Sequence, residues 1–135
     1  MLDSFMMGVD TELQKENAYK LFHIKKNHGW VLADRFISLV AVCFRQHKDV
    51  VYYANKLCIT PDYLNKLIRK HIEMTPKELI DTYLINEIKN MLVNTSLGIK
   101  AISAELNFED PPYLARFFRR NTGMSPLEYR KKNQM

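Results

Sequence analysis

The sequence predicts an all-α fold, and three observations support this prediction. Glycine and proline are scarce, at four and five of 135 residues, and no segment shows the alternating β-branched pattern of a strand. Apolar residues recur instead at three- and four-residue intervals, which is the spacing of one face of a helix. The second half of the chain also restates the first half at an offset of fifty residues.

The N-terminal arm, residues 1–48, is predicted to contain two helices. Residues 11–26 form a weakly amphipathic helix and residues 31–48 a stronger one, with a break at His28-Gly29 between them. An apolar stripe runs from Phe36 to Phe44 in the second helix. Two interpretations of the arm stay open, namely a helical linker packed on the rest of the chain and a dimerisation arm. The stripe and a near-neutral charge lead us to the hypothesis that residues 1–50 mediate self-association.

Helix-start signals outline a first helix-turn-helix unit at residues 50–71. A short helix over residues 50–57 is followed by Thr60-Pro61, where threonine is the expected N-cap. Proline then occupies the first helical position, where its missing N–H costs nothing. This second helix is predicted to end near His71.

A long bridging helix and a second unit follow. The spacing of Thr75 and Glu78 is that of a capping box, which opens a helix over residues 76–94. The earlier pattern then returns at residues 99–121, with a short helix, a turn, and a cap-and-proline start at residues 110–112. A second capping box stands at Ser125 to Glu128.

The internal repeat is the strongest signal in the sequence. Residues 63–80 and 113–130 align without a gap and share six identities in eighteen positions, where chance gives about one. Three further positions keep their chemistry. The identical pairs are Tyr63/Tyr113, Leu64/Leu114, Arg69/Arg119, Met74/Met124, Pro76/Pro126 and Glu78/Glu128, and the similar pairs are Lys66/Arg116, Lys70/Arg120 and Thr75/Ser125.

The second helix of each unit has one apolar and one polar face. Helical spacing groups the apolar residues on an inward face, which in the two units comprises Leu64, Leu67 and Ile68, and Leu114, Phe117 and Phe118. The opposite face carries charged and amide residues, with Asp62, Asn65, Lys66 and Arg69 in the first unit and Arg116, Arg119 and Arg120 in the second. A second helix of this kind can enter a major groove, while the alternative is a helical corner with a solvated face. Two such helices in register favour a DNA-binding module.

The charge distribution agrees with a nucleic-acid partner. The net charge is +5, with seven basic against six acidic residues in positions 1–50 and thirteen against nine in positions 51–135. A basic C-terminal part suits a phosphate backbone, because neutralising phosphates drives association with nucleic acids.

Other classes find little support in the sequence. The four histidines lack metal-ligand spacing and no glycine-rich phosphate loop occurs, so we expect neither an enzyme nor a cofactor. We interpret Cys43 and Cys58 as core residues, since they form no disulfide framework. The apolar run from Phe36 to Phe44 is too short to cross a bilayer and the N-terminus lacks a signal peptide, which predicts a cytoplasmic protein without membrane contact. A protein-interaction domain is the remaining alternative, and it would show no salt-sensitive affinity for duplex DNA.

The sequence resembles the AraC/XylS family of bacterial transcription regulators over residues 48–132. The most specific match is Ile99 to Phe108, followed by Tyr113-Leu-Ala-Arg-Phe-Phe-Arg-Arg120 and Thr122-Gly-Met-Ser-Pro-Leu-Glu-Tyr-Arg130. In the first unit the match is Tyr53 to Leu57 and then Thr60 to Leu64. The chain departs from the family pattern at Asn107, where glycine is usual, at Ile68, where phenylalanine is usual, and at Glu73, where glycine is usual. Asparagine tolerates a left-handed turn, so the fold expectation holds.

The resemblance implies which residues read DNA bases. The family's base-reading positions fall on Asp62, Asn65 and Lys66 in the first unit and on Pro111, Pro112 and Arg116 in the second. The prolines can offer only apolar contact, so polar reading by the second unit depends largely on Arg116, with Asp110 a weaker candidate. The predicted DNA-binding set is Asp62, Asn65, Lys66, Arg69, Asp110, Pro112, Arg116 and Arg120.

Partners and domain organisation follow from the same resemblance. Double-stranded DNA is the expected partner, RNA polymerase is a second candidate, and a homodimer formed through the N-terminal arm is a third. We divide the chain into that arm and an AraC-type DNA-binding domain at residues 49–133. Residues 1–50 are too few for a sensor domain with a ligand cavity, so we expect either a short family member or a part of a longer regulator.

Overall fold

The structure is a computed structural model that describes residues 28–134. These residues form helices α1 (His28–Cys43), α2 (Val50–Lys56), α3 (Pro61–Ile72), α4 (Pro76–Asn94), α5 (Ile99–Glu105), α6 (Pro111–Thr122) and α7 (Pro126–Asn133), and within this range there is no strand. The predicted all-α fold is therefore confirmed. The first unit is α2 and α3, α4 is the bridging helix, and the second unit is α5 and α6. The helix predicted at residues 11–26 lies outside the described residues.

Side-chain caps start the helices at the positions that the sequence predicts. The Thr60 side chain accepts a hydrogen bond from the amide of Tyr63 at 3.1 Å, and Asp110 accepts one from the amide of Tyr113 at 2.8 Å. Both capping boxes are complete, because threonine or serine bonds the N3 amide while the N3 glutamate bonds back to the cap amide. Four helix starts thus satisfy amides that would otherwise lack a partner.

The turn inside each unit is a Schellman motif. The second residue after each short helix has left-handed backbone, with φ of 60° at Cys58 and 57° at Asn107. The next amide bonds back to the third-last helical carbonyl, from Ile59 to Ala54 at 3.0 Å and from Phe108 to Ser103 at 2.9 Å. The interpretation of Cys58 as a core residue is wrong, because the αL position leaves its side chain exposed, while Cys43 is half-buried against the core.

Helix α1 differs from its predicted bounds at both ends. The described helix includes His28 and Gly29, which were expected to precede it, and Gly29 is buried within the first turn. The helix ends at Cys43 rather than at residue 48, and a turn follows in which the amides of Gln46 and His47 both donate to the Cys43 carbonyl, at 3.1 and 2.9 Å. The Tyr53 hydroxyl then donates to the His47 carbonyl at 2.6 Å and holds the following loop on α2.

Helix α1 packs into the first unit. It contacts α2, α3 and the bridging helix, and the ring of Phe36 meets that of Tyr53 edge-on at 5.6 Å. Phe36 and Val40 are fully buried and Phe44 is 9% exposed. The apolar stripe that suggested self-association is therefore covered by the chain's own helices. This burial removes one of the two observations behind that hypothesis and leaves the near-neutral charge of residues 1–50.

The bridging helix belongs to the cores of both units. It packs on α1 and on α3 of the first unit, and it also packs on α6 of the second unit and on α7. Leu84, Ile88 and Leu92 are at most 1% exposed, as expected for residues shared by two small units that lack cores of their own. Its C-terminal carbonyls are capped from α7, where Arg130 Nε donates to the Leu92 carbonyl at 2.9 Å. The cationic side chain also suits the negative end of the helix dipole.

Candidate nucleic-acid interface

Helix α3 presents its polar residues on the face opposite its core contacts. Leu64, Leu67 and Ile68 are buried, and the residues expected to read DNA lie at positions spaced three and four apart, which places Asp62, Asn65, Lys66 and Arg69 on one outer surface. Asn65 is half-buried and the other three are exposed. Lys66 Nζ lies 3.5 Å from an Asp62 carboxylate oxygen, so two of the four side chains pair with each other in the free protein.

Helix α6 has the same arrangement with different chemistry. Leu114, Phe117 and Phe118 form its buried face, while Pro112 and Arg116 are exposed one turn apart. The Arg116 guanidinium lies over the Tyr113 ring, 5.9 Å from its centroid. This contact leaves the guanidinium edge open, so its donors can form the paired hydrogen bonds that a guanine edge accepts.

Two of the predicted residues of the second unit have other contacts. Asp110 is the N-cap of α6 and its carboxylate already bonds the Tyr113 amide, so base reading by Asp110 competes with capping. Arg120 lies over the Phe117 ring at 5.9 Å and lines a cleft of about 430 Å³ between the two units. Pro112, Arg116 and Arg120 follow one another at four-residue intervals along the exposed side of α6, and Arg120 lies at the end beside the cleft.

Arg119 also lies on the outer surface of α6, although the predicted binding set omits it. Its guanidinium lies 3.6 Å from Glu128 of the capping box at α7. The pKa of Glu128 is lowered, first by the hydrogen bond from the Ser125 amide and then by the charge of Arg119. The match of Arg69 to Arg119 in the repeat was the sequence signal for this position.

Two other kinds of feature, a metal site and a membrane-spanning helix, find no support among the described residues. Between residues 28 and 134, no three His, Cys, Asp or Glu side chains come close enough to hold a metal ion. None of the helices in that range is both long and apolar enough to cross a membrane.

Comparison with known proteins identifies the family. A helix-turn-helix domain model matches residues 53–132. The chain is 29% identical over 84 residues to the arabinose operon regulatory protein of Salmonella typhimurium, which covers 62% of this chain and 30% of that protein. It is 30% identical over 119 residues to the HTH-type transcriptional regulator YisR of Bacillus subtilis, which covers 88% of this chain and 40% of that protein. The chain thus spans less than half the length of either relative.

A solved structure shares the fold. The DNA-binding domain of AdpA, in complex with a target DNA, superposes with a TM-score of 0.67 at 18% identity. The superposition covers 74% of this chain and 90% of the AdpA domain. Together with two capped helix-turn-helix units on one bridging helix and a family model that matches more than half of the sequence, these comparisons show that the chain belongs to the AraC-type helix-turn-helix family of transcription regulators.

Proposed function

We propose that this chain binds double-stranded DNA sequence-specifically and regulates transcription, with α3 and α6 placed in two successive major grooves. The observation that carries the proposal is the pair of equivalent outer faces, one with Lys66 and one with Arg116, on two helices attached to a single bridging helix. The DNA-bound state of the AdpA domain, which has the same fold, supports the choice of ligand.

The length of the bridging helix supports reading by one monomer. Its 19 residues span about 28 Å at 1.5 Å per residue. Successive major grooves on one face of B-DNA lie about 34 Å apart, or 10–10.5 base pairs, and the width of the two units covers the difference. Because a stiff helix sets this distance, straight DNA fits imperfectly and a modest bend is expected. The site is then asymmetric, with two short blocks about one helical turn apart.

An insertion experiment tests this arrangement. Duplexes selected from a random pool define the site, and the dissociation constant is then measured after five base pairs are inserted between the two blocks. Half a turn moves one block to the opposite face of the duplex, where the bridged units cannot follow, so affinity should fall to the level of a single block. Unchanged affinity would mean that only one unit reads DNA.

A salt titration distinguishes DNA binding from a protein-interaction role. Affinity for the selected duplex should fall steeply as salt rises, since cations on the protein release counterions from the phosphates. A chain without duplex affinity at low salt would instead be a protein-interaction module.

We also propose a cytoplasmic, non-catalytic protein with two further partners. Relatives named as transcription regulators support the absence of catalysis and the location with DNA.

RNA polymerase is the partner that a regulator requires to change transcription. For a second copy the ground is the near-neutral charge of residues 1–50, and Val42, 78% exposed on α1, lies on the surface that such a contact would use. Sedimentation of the chain and of Val42→Lys tests the dimer, which the lysine should weaken; a monomer at high concentration would exclude it.

A further inference from the structure

The loop that leads from α1 into the first unit contacts the second unit directly, so the bridging helix is not the sole link between them within residues 28–134. This loop, residues 44–49 between α1 and α2, reaches the turn between α5 and α6 in the second unit. The Nζ atom of Lys48 donates to the carbonyls of Leu106 at 2.6 Å and Asn107 at 3.0 Å. In return, Asn107 Nδ2 donates to the Arg45 carbonyl at 3.0 Å. We call Arg45, Lys48, Leu106 and Asn107 the inter-unit clasp.

The ammonium group of Lys48 is well coordinated in this clasp. Its third acceptor is the Arg45 carbonyl at 3.3 Å, so three donors meet three carbonyl oxygens. The Phe108 ring lies beneath it, with the centroid at 5.0 Å. The Leu106 and Asn107 carbonyls close the C-terminus of α5, where the helix dipole favours a cation. Burial of the group lowers the pKa of Lys48, in agreement with its withdrawal from water.

Arg45 extends the same contact to the bridging helix. Its guanidinium pairs with Glu87 of α4 and lies 4.0 Å from Glu105 of α5. The loop before the first unit is thereby tied to the middle of the bridging helix and to the C-terminal end of α5 in the second unit. The bridging helix fixes the distance between the two units, but the angle between them can still vary through slight bending of that helix, and a second attachment point restricts this variation.

We propose that Lys48 is a positioning residue that holds the two helix-turn-helix units in one relative orientation. The consequence for DNA rests on the proposed function: a fixed angle between α3 and α6 sets the spacing at which the chain accepts its two blocks. Lys48 acts here through the turn that precedes α6, and the proposal gives it no contact with a base. Removing the clasp should leave each unit folded and change how the units are arranged.

Residual dipolar couplings of backbone N–H groups test the proposal without DNA. In the wild-type chain, the couplings of α1–α3 and of α5–α7 should fit one alignment tensor. Lys48→Met keeps the aliphatic stem but loses the three hydrogen bonds, so the two sets should need different tensors. Lys89→Met is the matched control, because Lys89 is also half-buried over an aromatic ring, that of Tyr129 at 5.6 Å, but belongs to the bridging helix. It should keep a single tensor.

Asn107→Gly provides an independent variant if Lys48→Met fails to fold. Glycine accepts the left-handed backbone at this turn and removes only the bond to the Arg45 carbonyl. The two sets of helices should again need different alignment tensors, and the difference should be smaller than in Lys48→Met. A single shared tensor in both folded clasp variants would overturn the proposal.

Duplexes with altered spacing supply the second readout. Lys48→Met should bind the native site about fivefold more weakly, because the units are no longer preorganised. It should also lose less affinity than the wild-type chain when one base pair is inserted between the blocks. Equal spacing preference in variant and wild type would contradict the proposal. If the wild-type chain binds no duplex, the proposed function fails, while the dipolar couplings still decide the role of Lys48.

Discussion

The ammonium of Lys66 lies 3.5 Å from the carboxylate of Asp62, one turn away on the same exposed face of α3. Both side chains are more than 70% exposed, so the pair is weak in water. DNA binding therefore has to exchange this contact for contacts with bases or phosphates. The pair keeps an acidic group beside the proposed reader of the first unit, where it repels phosphate.

Replacing Asp62 by asparagine should increase affinity for a random duplex about two- to fivefold, because it removes that repulsion and releases Lys66. Fluorescence anisotropy at fixed salt measures the effect. Asp34→Asn, an equal charge change at an exposed site on α1, is the control and should have less effect. An equal gain in both variants would show that Asp62 acts only through net charge.

The pH dependence of stability should depend on the second capping box. The hydrogen bond from the Ser125 amide lowers the pKa of Glu128 below its ordinary value of 4.5. Because the folded chain holds this carboxylate ionised at lower pH than the unfolded chain does, its contribution is complete above 4.5 and is lost as the pH falls through the lowered pKa. Urea denaturation between pH 6 and 3 should show a steeper loss in the wild type than in Glu128→Gln. Glu109→Gln, in the exposed turn before α6, should retain the wild-type slope.

Backbone conformation at the ends of α3 and α6 predicts that one substitution stabilises the chain and another destabilises it. Glu73 and Gly123 cap these helices in left-handed conformation, with φ of 63° and 86°. Glu73→Gly should raise the free energy of unfolding by about 0.5–1 kcal/mol, since only glycine adopts this region without strain.

Gly123→Ala should lower the free energy of unfolding by about 1 kcal/mol. A Cβ at this position would meet nothing within 4 Å, so the cost comes from the backbone alone. Chemical denaturation of both variants measures the two changes. Equal stability of Gly123→Ala and wild type would contradict the backbone argument.

The sequence predicted the helix starts and the buried faces because both depend on local chemistry. The cap at Thr75 and the proline after it act within one turn, and the spacing of Leu114, Phe117 and Phe118 follows from helical geometry alone. The left-handed turn at Asn107 was predictable for the same reason, since asparagine tolerates positive φ.

Features that depend on distant parts of the chain could not be predicted in this way. Lys48 bonds the Leu106 carbonyl across 58 residues, and a backbone acceptor leaves no trace in the sequence. Cys58 has apolar neighbours along the chain but points to solvent, because the backbone turns there.

Arg116 provides the most direct test of base reading, because it occupies the position of Lys66 in the repeat and is exposed on α6. Arg116→Ala should cost about 1–3 kcal/mol on the selected duplex and relax base preference in one of the two blocks. Arg119→Ala is the matched control on the same helix, since it removes an equal charge whose nearest partner is Glu128 at 3.6 Å. Competition binding with selected and random duplexes separates the two roles. A base reader loses affinity mainly on the selected sequence, whereas a phosphate contact loses it equally on both. If Arg116→Ala behaves like Arg119→Ala and weakens both duplexes alike, the second unit contributes charge but no polar base recognition.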